Sequence, residues 1–378
     1  MDRRLFLTAA LGTIAAPAFA QTTPITRWKV TASEGHDAIA FLGPLSGEPL
    51  YQNYYAADAA AFAPRLPEAI RSDIPRLWKE AGTGFGLLGP GLSSKVSGAD
   101  VSTIGSVVAA LADPEGRIRP TLEKTPYWDE ADWRWLTAAA PRLHAIFAAM
   151  RDAGFAAFRS ERIGELTARA VQLQRDLAPY DVIRLQQKLT GRAFEPQIEV
   201  VLLQFCKPHG IKVQGQTFLQ AADWGLSITV RNAAHEMLHP PIPMDGAVAR
   251  SALAVLARDP LIPRIVRDHD PKWGYTSLDG YLNEDLVQAL DQLIGEAFGV
   301  GRNPADRWRT NDDGIHVLAA GLYGMLREDK WIETGGSIEA WLGKAVRTGR
   351  LSPSMLHAVA ARVLERPMDR LWPLAARA

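Results

Sequence analysis

Cysteine is nearly absent. Cys206 is the only one in 378 residues, so no disulfide can close within the chain. A metal bound by this sequence must therefore rest on histidine and carboxylate. Excess charge of either sign is missing too. Lys plus Arg number 42 and Asp plus Glu number 42, for a formal net charge of zero. No long basic block stands out, which argues against nucleic acid as a partner. Long apolar runs are also lacking. The one at residues 5–15 is too short to span a bilayer, so no membrane span is expected in the mature chain. No internal repeat or low-complexity tract is present. The glycine-rich stretch 82–98 matches no phosphate-binding loop and reads as a connector.

Residues 1–20 read as an export signal. Arg3-Arg4 form its charged start, residues 5–15 its apolar core, and Ala18-Phe19-Ala20 a small-residue cleavage site. Asp2-Arg-Arg-Leu-Phe-Leu7 resembles the bacterial twin-arginine consensus; a general secretory signal is the alternative. Either route places a mature chain starting near Gln21 in the periplasm or outside the cell. No cysteine follows the cleavage site, so no lipid anchor is expected there.

The chain is long enough for one large or two moderate domains. Apolar spacing predicts helices over 51–62, 66–81, 99–111 and 128–153, then over 163–189 with a break near Pro179. Residues 28–33 read as a short edge strand. The texture changes at Phe194-Glu-Pro196. Residues 197–205 are β-branched and apolar, as in a buried strand, and 211–219 pair with them as a hairpin. A substrate backbone can add to the edge of such a sheet. Helices at 337–347 and 353–365 form a lid or a packing layer. The expected fold class is therefore α+β and mainly α-helical, with a helical region at 21–195 and a metal-binding region at 196–378.

The chemistry centres on Asn232-Ala-Ala-His-Glu-Met-Leu-His239. Histidine is sparse, at 8 residues, yet two of them stand one helical turn apart. That spacing puts both rings on one helix face, within reach of a single zinc ion. Glu236 lies beside the first ring, where its carboxylate can take a proton from a water that zinc acidifies to a pKa near ~7. A helix is predicted over 228–239, with Ser227 as N-cap and Pro240-Pro241 as its stop. A third ligand comes from downstream. Glu284 in Gly280-Tyr-Leu-Asn-Glu284 opens a helix predicted over 282–298; His269 with Asp270 is the rival, and His209 a further candidate.

These motifs resemble the zincin metallopeptidases, specifically the gluzincin branch, in which a glutamate on a second helix completes the site. Gly280-x-x-Asn283-Glu284 is similar to the third-ligand motif of thermolysin-like enzymes. The resemblance implies a zincin-like half with a small sheet beside the His-Glu helix. It also implies His235, His239 and Glu284 as zinc ligands, and Glu236 as general base. Gln288 stands where an acidic residue often follows the third ligand, which leaves Asp285 or Asp279 to hold the zinc histidines. The developing oxyanion needs a donor. His316 is the first candidate and Tyr323 or Tyr281 the next, with Tyr275 also in range. The expected activity is zinc-dependent hydrolysis of a peptide or protein substrate. Hydrolysis of another amide or ester is the alternative, as is a non-enzymatic exported protein with a structural metal.

Overall fold

The computed structural model describes residues 23–82, 87–164 and 166–372. The expected export signal at residues 1–20 lies outside them. The chain is mainly helical, with one small mixed sheet. Among the described residues no helix is long and apolar enough to cross a membrane.

The sheet contains β1 (Arg27–Ala32), β2 (Gln197–Leu203), β3 (Ile211–Lys212) and β4 (Thr217–Ala221), in the order β1-β2-β4-β3. β1 is the edge strand expected at 28–33. The hairpin expected between 197–205 and 211–219 does not form. Residues 211–219 instead turn back on themselves at Gly215, whose φ of 71° suits glycine, to give the β3-β4 pair. β2 is central, parallel to β1 on one side and to β4 on the other. Its weak alternation follows, because both of its faces are covered.

Ile198, Val200 and Leu202 face one core together with Trp28, Val30 and Phe218. Val201 and Leu203 face the other, with Leu219, Ala221 and the ring cluster of Phe41, Phe62, Phe155, Phe158 and Phe205. The sheet thus lies between two helical layers. These cores do not divide at residue 195. β1 and residues from the helices Leu166–Leu177 and Val182–Thr190 belong to the core that holds the C-terminal half.

The stretch 82–98 is more than a connector: Leu88–Val96 is a helix despite Gly89, Pro90 and Gly91. Leu88, Leu92 and Val96 form a buried stripe on it, and that burial outweighs the poor helix propensity of its first turn. Ser94 on this helix places its Oγ 3.2 Å from the carbonyl of Lys212, on the outer edge of β3. At the opposite edge the N–H of Val30 donates to Gln174 Oε1 at 3.0 Å. The sheet edges that a substrate strand was expected to use are therefore already engaged. The last helix, Pro353–Leu364, is a packing layer. It lies so close to Val317–Glu328 that a Cβ at Gly321 would stand 2.4 Å from Leu356 Cδ1.

Asp181 ties the layers at one end of β1. Its carboxylate accepts from Ile25 N at 3.0 Å, Thr26 N at 2.9 Å, Thr26 Oγ1 at 2.9 Å and Arg184 Nε at 2.8 Å. Burial acts to raise its pKa, but these donors outweigh it and hold the group below the usual aspartate value. Asp181→Ala is expected to cost about 1–3 kcal/mol, read as a lower urea midpoint. A depressed carboxylate stabilises above its unfolded pKa of about 3.9 and loses that contribution as pH falls through the folded value. The gap between wild type and variant should therefore close on acidification below about pH 4; a gap that stays constant there would contradict the assignment.

Candidate metal centre

The His-Glu helix runs from Leu226 to Glu236 and its last turn carries the motif. Gly225, not Ser227, is its N-cap, with no side-chain cap. The helix stops earlier than 239. Met237 to His239 form a tightened turn in which His239 N donates to Glu236 O at 3.4 Å. The cause lies in Pro240 and Pro241, which have no N–H to continue the ladder and bar the preceding residue from the α region. Orphan carbonyls at this end find donors from outside. Gln186, fully buried, donates its Nε2 to Ala234 O at 3.1 Å, and Lys212 Nζ donates to His239 O at 2.8 Å.

The second helix spans Leu278–Ala297 and begins earlier than expected, capped by Ser277. It packs across the His-Glu helix and brings Glu284 to the two rings. His235 Nε2 and His239 Nε2 lie 3.2 Å apart. Glu284 Oε1 is 3.5 Å from the first and Oε2 is 3.4 Å from the second. Ligand atoms at bonds of ~2.0–2.1 Å in a tetrahedral site stand roughly 3.3–3.4 Å apart. The donor set and its spacing therefore suit one metal ion, and His235, His239 and Glu284 form the one such group among the described residues.

No family model, curated protein or solved structure matches this chain. The geometry therefore carries the functional reading.

Asp291, two turns past Glu284 on the same helix, holds His235. Its Oδ2 accepts from His235 Nδ1 at 2.7 Å, which leaves the Nε2 lone pair aimed at the other ligands. Neither Asp285 nor Asp279 does this. Asp285 instead binds His316 Nδ1 at 2.6 Å and Ala319 N at 2.9 Å, and Asp279 lies exposed in the first helical turn. Asp291 is fixed in turn by Arg307, which reaches both carboxylate oxygens, with Nη2 at 2.9 Å from Oδ2. Gln288 donates to Glu284 Oε1 at 2.9 Å and accepts from Trp308 Nε1 at 2.8 Å. Sequence reasoning missed Asp291 and Arg307. The helical repeat from Glu284 points to Asp291; nothing local points to Arg307.

Electrostatics at the centre favour a cation. Burial acts to lower His235, but Glu284 and Asp291 outweigh it and push the imidazole up to about 9. Burial acts to raise Glu284, and His235 with His239 outweighs that, holding it well below the usual glutamate range. The carboxylates that favour a protonated His235 would equally favour a metal ion beside it. Glu236 is raised, chiefly by burial. Its carboxylate has no hydrogen-bond donor among the described residues and faces Gly210, where a Cβ would stand 3.5 Å from Oε1. The same Cβ would meet Asn232 Nδ2 at 3.2 Å, a buried amide nitrogen without a partner.

The expected oxyanion donors are engaged elsewhere. Tyr281 is fully buried and its hydroxyl donates to Ile315 O at 2.5 Å. Tyr323 donates to Glu296 Oε1 at 2.6 Å, three turns beyond Glu284 on the second helix. His316 is fully buried with both ring nitrogens occupied, Nδ1 by Asp285 and Nε2 by Asp312 at 2.9 Å. Burial acts to lower its pKa, but Asp285 outweighs it and the ring is pushed up to about 10. Tyr275 differs. Its ring stands edge-on to His316 at 5.6 Å, and its hydroxyl has no hydrogen-bond partner among the described residues. Burial raises its pKa, and so do the charges of Glu284, Asp312, Asp285 and Glu236. Its φ of 56° is strained for so bulky a residue.

The other histidine candidates have other tasks. His269 Nδ1 contacts Ile265 O at 2.8 Å and Nε2 contacts Gly274 O at 2.6 Å, so it clamps the turn that leads to Tyr275. His209 Nε2 pairs with the Tyr51 hydroxyl at 2.9 Å.

Proposed function

We propose that this protein is an exported zinc-dependent metallopeptidase of the zincin type, working in the periplasm or outside the cell. The observation that carries the reading is the convergence of two imidazole nitrogens and the Glu284 carboxylate, with ligand atoms all within 4.8 Å of one another, beside the motif's own Glu236. His235, His239 and Glu284 would hold the zinc ion, and three protein ligands with no fourth in the group fit a catalytic site better than a closed structural one. Zinc bound there supplies a Lewis acid and an acidified water.

The protein's own groups do the rest. Glu236 accepts the proton and returns it to the leaving nitrogen. Tyr275, with its hydroxyl uncommitted, donates to the developing oxyanion. Asp291 keeps His235 in the tautomer that presents Nε2.

A second reading, hydrolysis of another amide or an ester, is favoured by the engaged sheet edges, which leave less room for an extended peptide to pair. One experiment tests the common core of both. Purified wild type should contain about one zinc per chain, and a chelator should abolish hydrolysis that added zinc restores. His239→Ala should lose the metal. Equal zinc in that variant would remove His239 from the ligand set, and chelator-resistant hydrolysis would end the metal mechanism.

A further inference from the structure

A cleft lined by Trp78 and Trp273, from opposite halves of the chain, contains none of the centre's residues. Within the centre, two polar groups each lack what the other offers. Asn232 Nδ2 is a buried donor with no acceptor among the described residues. The Glu236 carboxylate, its pKa raised chiefly by burial, has no donor among them.

Their placement is set by one helix and one glycine. Asn232 and Glu236 stand four residues apart on Leu226–Glu236, so their side chains share a face. That face meets Gly210. A Cβ there would lie 3.2 Å from Asn232 Nδ2 and 3.5 Å from Glu236 Oε1, so both groups border one narrow space. Gly210 does not have the positive φ that calls for glycine. What its missing side chain supplies is room.

The wall behind that space is fixed. Lys207 N donates to the Tyr55 hydroxyl at 2.9 Å, and His209 Nε2 pairs with the Tyr51 hydroxyl at 2.9 Å. His209 N closes the turn on Cys206 O at 2.9 Å. With the backbone held there, what can still turn is the pair of side chains.

A buried donor without an acceptor costs stability, and so does a carboxylate taken from water without a donor. Native structures keep few such groups, and each calls for a reason. Asn232 Nδ2 is closed off from solvent, so an acceptor that reaches it comes from the protein itself. The carboxylate one turn on shares its face.

We propose that Asn232 is the positioning residue of Glu236. In the zinc-loaded protein its amide donates to one carboxylate oxygen and so turns the other toward the metal ligands. An unanchored base would have to lose that rotational freedom in every turnover. The inference rests on the metallopeptidase reading, and its test separates the two.

Asn232→Leu is the test, because leucine has nearly the shape of asparagine, favours the helix and has no donor. Zinc content and KM should hold, while kcat falls on the order of 10–100-fold. The apo protein should unfold at a higher urea midpoint than wild type, since an unmatched buried amide is gone. A merely structural asparagine gives the reverse, a lower midpoint with kcat held. Asn232→Ala serves if leucine overpacks, and should show the same loss in kcat. Added to Glu236→Gln, Asn232→Leu should leave the residual rate where it is, because the group it positions is no longer a base. Full kcat in both Asn232 variants overturns the pairing. So does a loss that persists undiminished in the Glu236→Gln background, which would put the amide on the substrate instead.

One readout is independent of turnover. In zinc-loaded protein the Asn232 side-chain amide resonance, assigned by its absence from Asn232→Leu, should move upfield in Glu236→Ala. If wild type cuts no peptide but that shift is seen, the pairing stands and the peptidase reading fails. An unmoved resonance overturns the pairing whether or not peptides are cut.

Discussion

Glu236→Gln keeps its zinc and loses its turnover: that is the expected result for the variant with the largest effect on rate. The amide has nearly the shape of the carboxylate, so the fold and the three ligands are undisturbed. It cannot accept a proton, and general-base catalysis contributes on the order of 10²–10⁴-fold. The loss should fall on kcat, with metal content unchanged. Tyr275→Phe makes the complementary case. It removes only a hydroxyl that has no partner among the described residues, so stability should hold while kcat falls on the order of 10²–10³-fold. A Glu236→Gln enzyme of full activity would eliminate the mechanism. A fully active Tyr275→Phe would instead send the search for the oxyanion donor to other groups, Asn232 Nδ2 among them.

Asp291→Ala should produce the largest combined loss of metal and stability. Asp291 does two things at once: it orients His235 through Nδ1 and it neutralises Arg307, which is as deeply buried as itself, at 6% side-chain exposure each. Losing the first contact frees the ring and its tautomer, which typically lowers metal affinity by about 10–100-fold. Losing the second strands a buried guanidinium, a cost of about 3–5 kcal/mol. Zinc titration and urea unfolding of the apo protein separate the two effects. Asp291→Ala with Arg307→Met should recover much of the apo stability, because no charge is left unpaired, but none of the zinc affinity. If the double variant recovered the zinc affinity as well, Asp291 would act only through Arg307 and not through His235.

How the centre could be read from sequence depends on the distance along the chain over which each contact is made. His235 and His239 stand one turn apart and Glu236 adjoins the first of them, so their spacing alone brought them together. Glu284 was accessible through a short motif, and Asp291 lies within reach of the same helical repeat. Tyr275 was one of four oxyanion candidates, with nothing local to rank it above His316, Tyr281 or Tyr323. Its case rests on which hydroxyls and ring nitrogens are already bonded, and those bonds join residues distant in sequence. The hairpin reading erred for a related reason. Strand character at 197–205 and 211–219 was legible, but pairing was decided by Gly215 and by β1, which lies far upstream.

By itself the sequence determined the mainly helical character, the existence of the strands, and a local pair of imidazoles with a carboxylate between them. These follow from periodicity and from proline and glycine chemistry, which act within a few residues. Only the tertiary structure decided that Glu284 stands beside the two rings, that Asp291 and Arg307 pack behind His235, and that two tryptophans from opposite halves share one cleft. Such placements arise when separate helices bury their apolar faces against one sheet, and no local spacing records which polar groups that burial brings into contact.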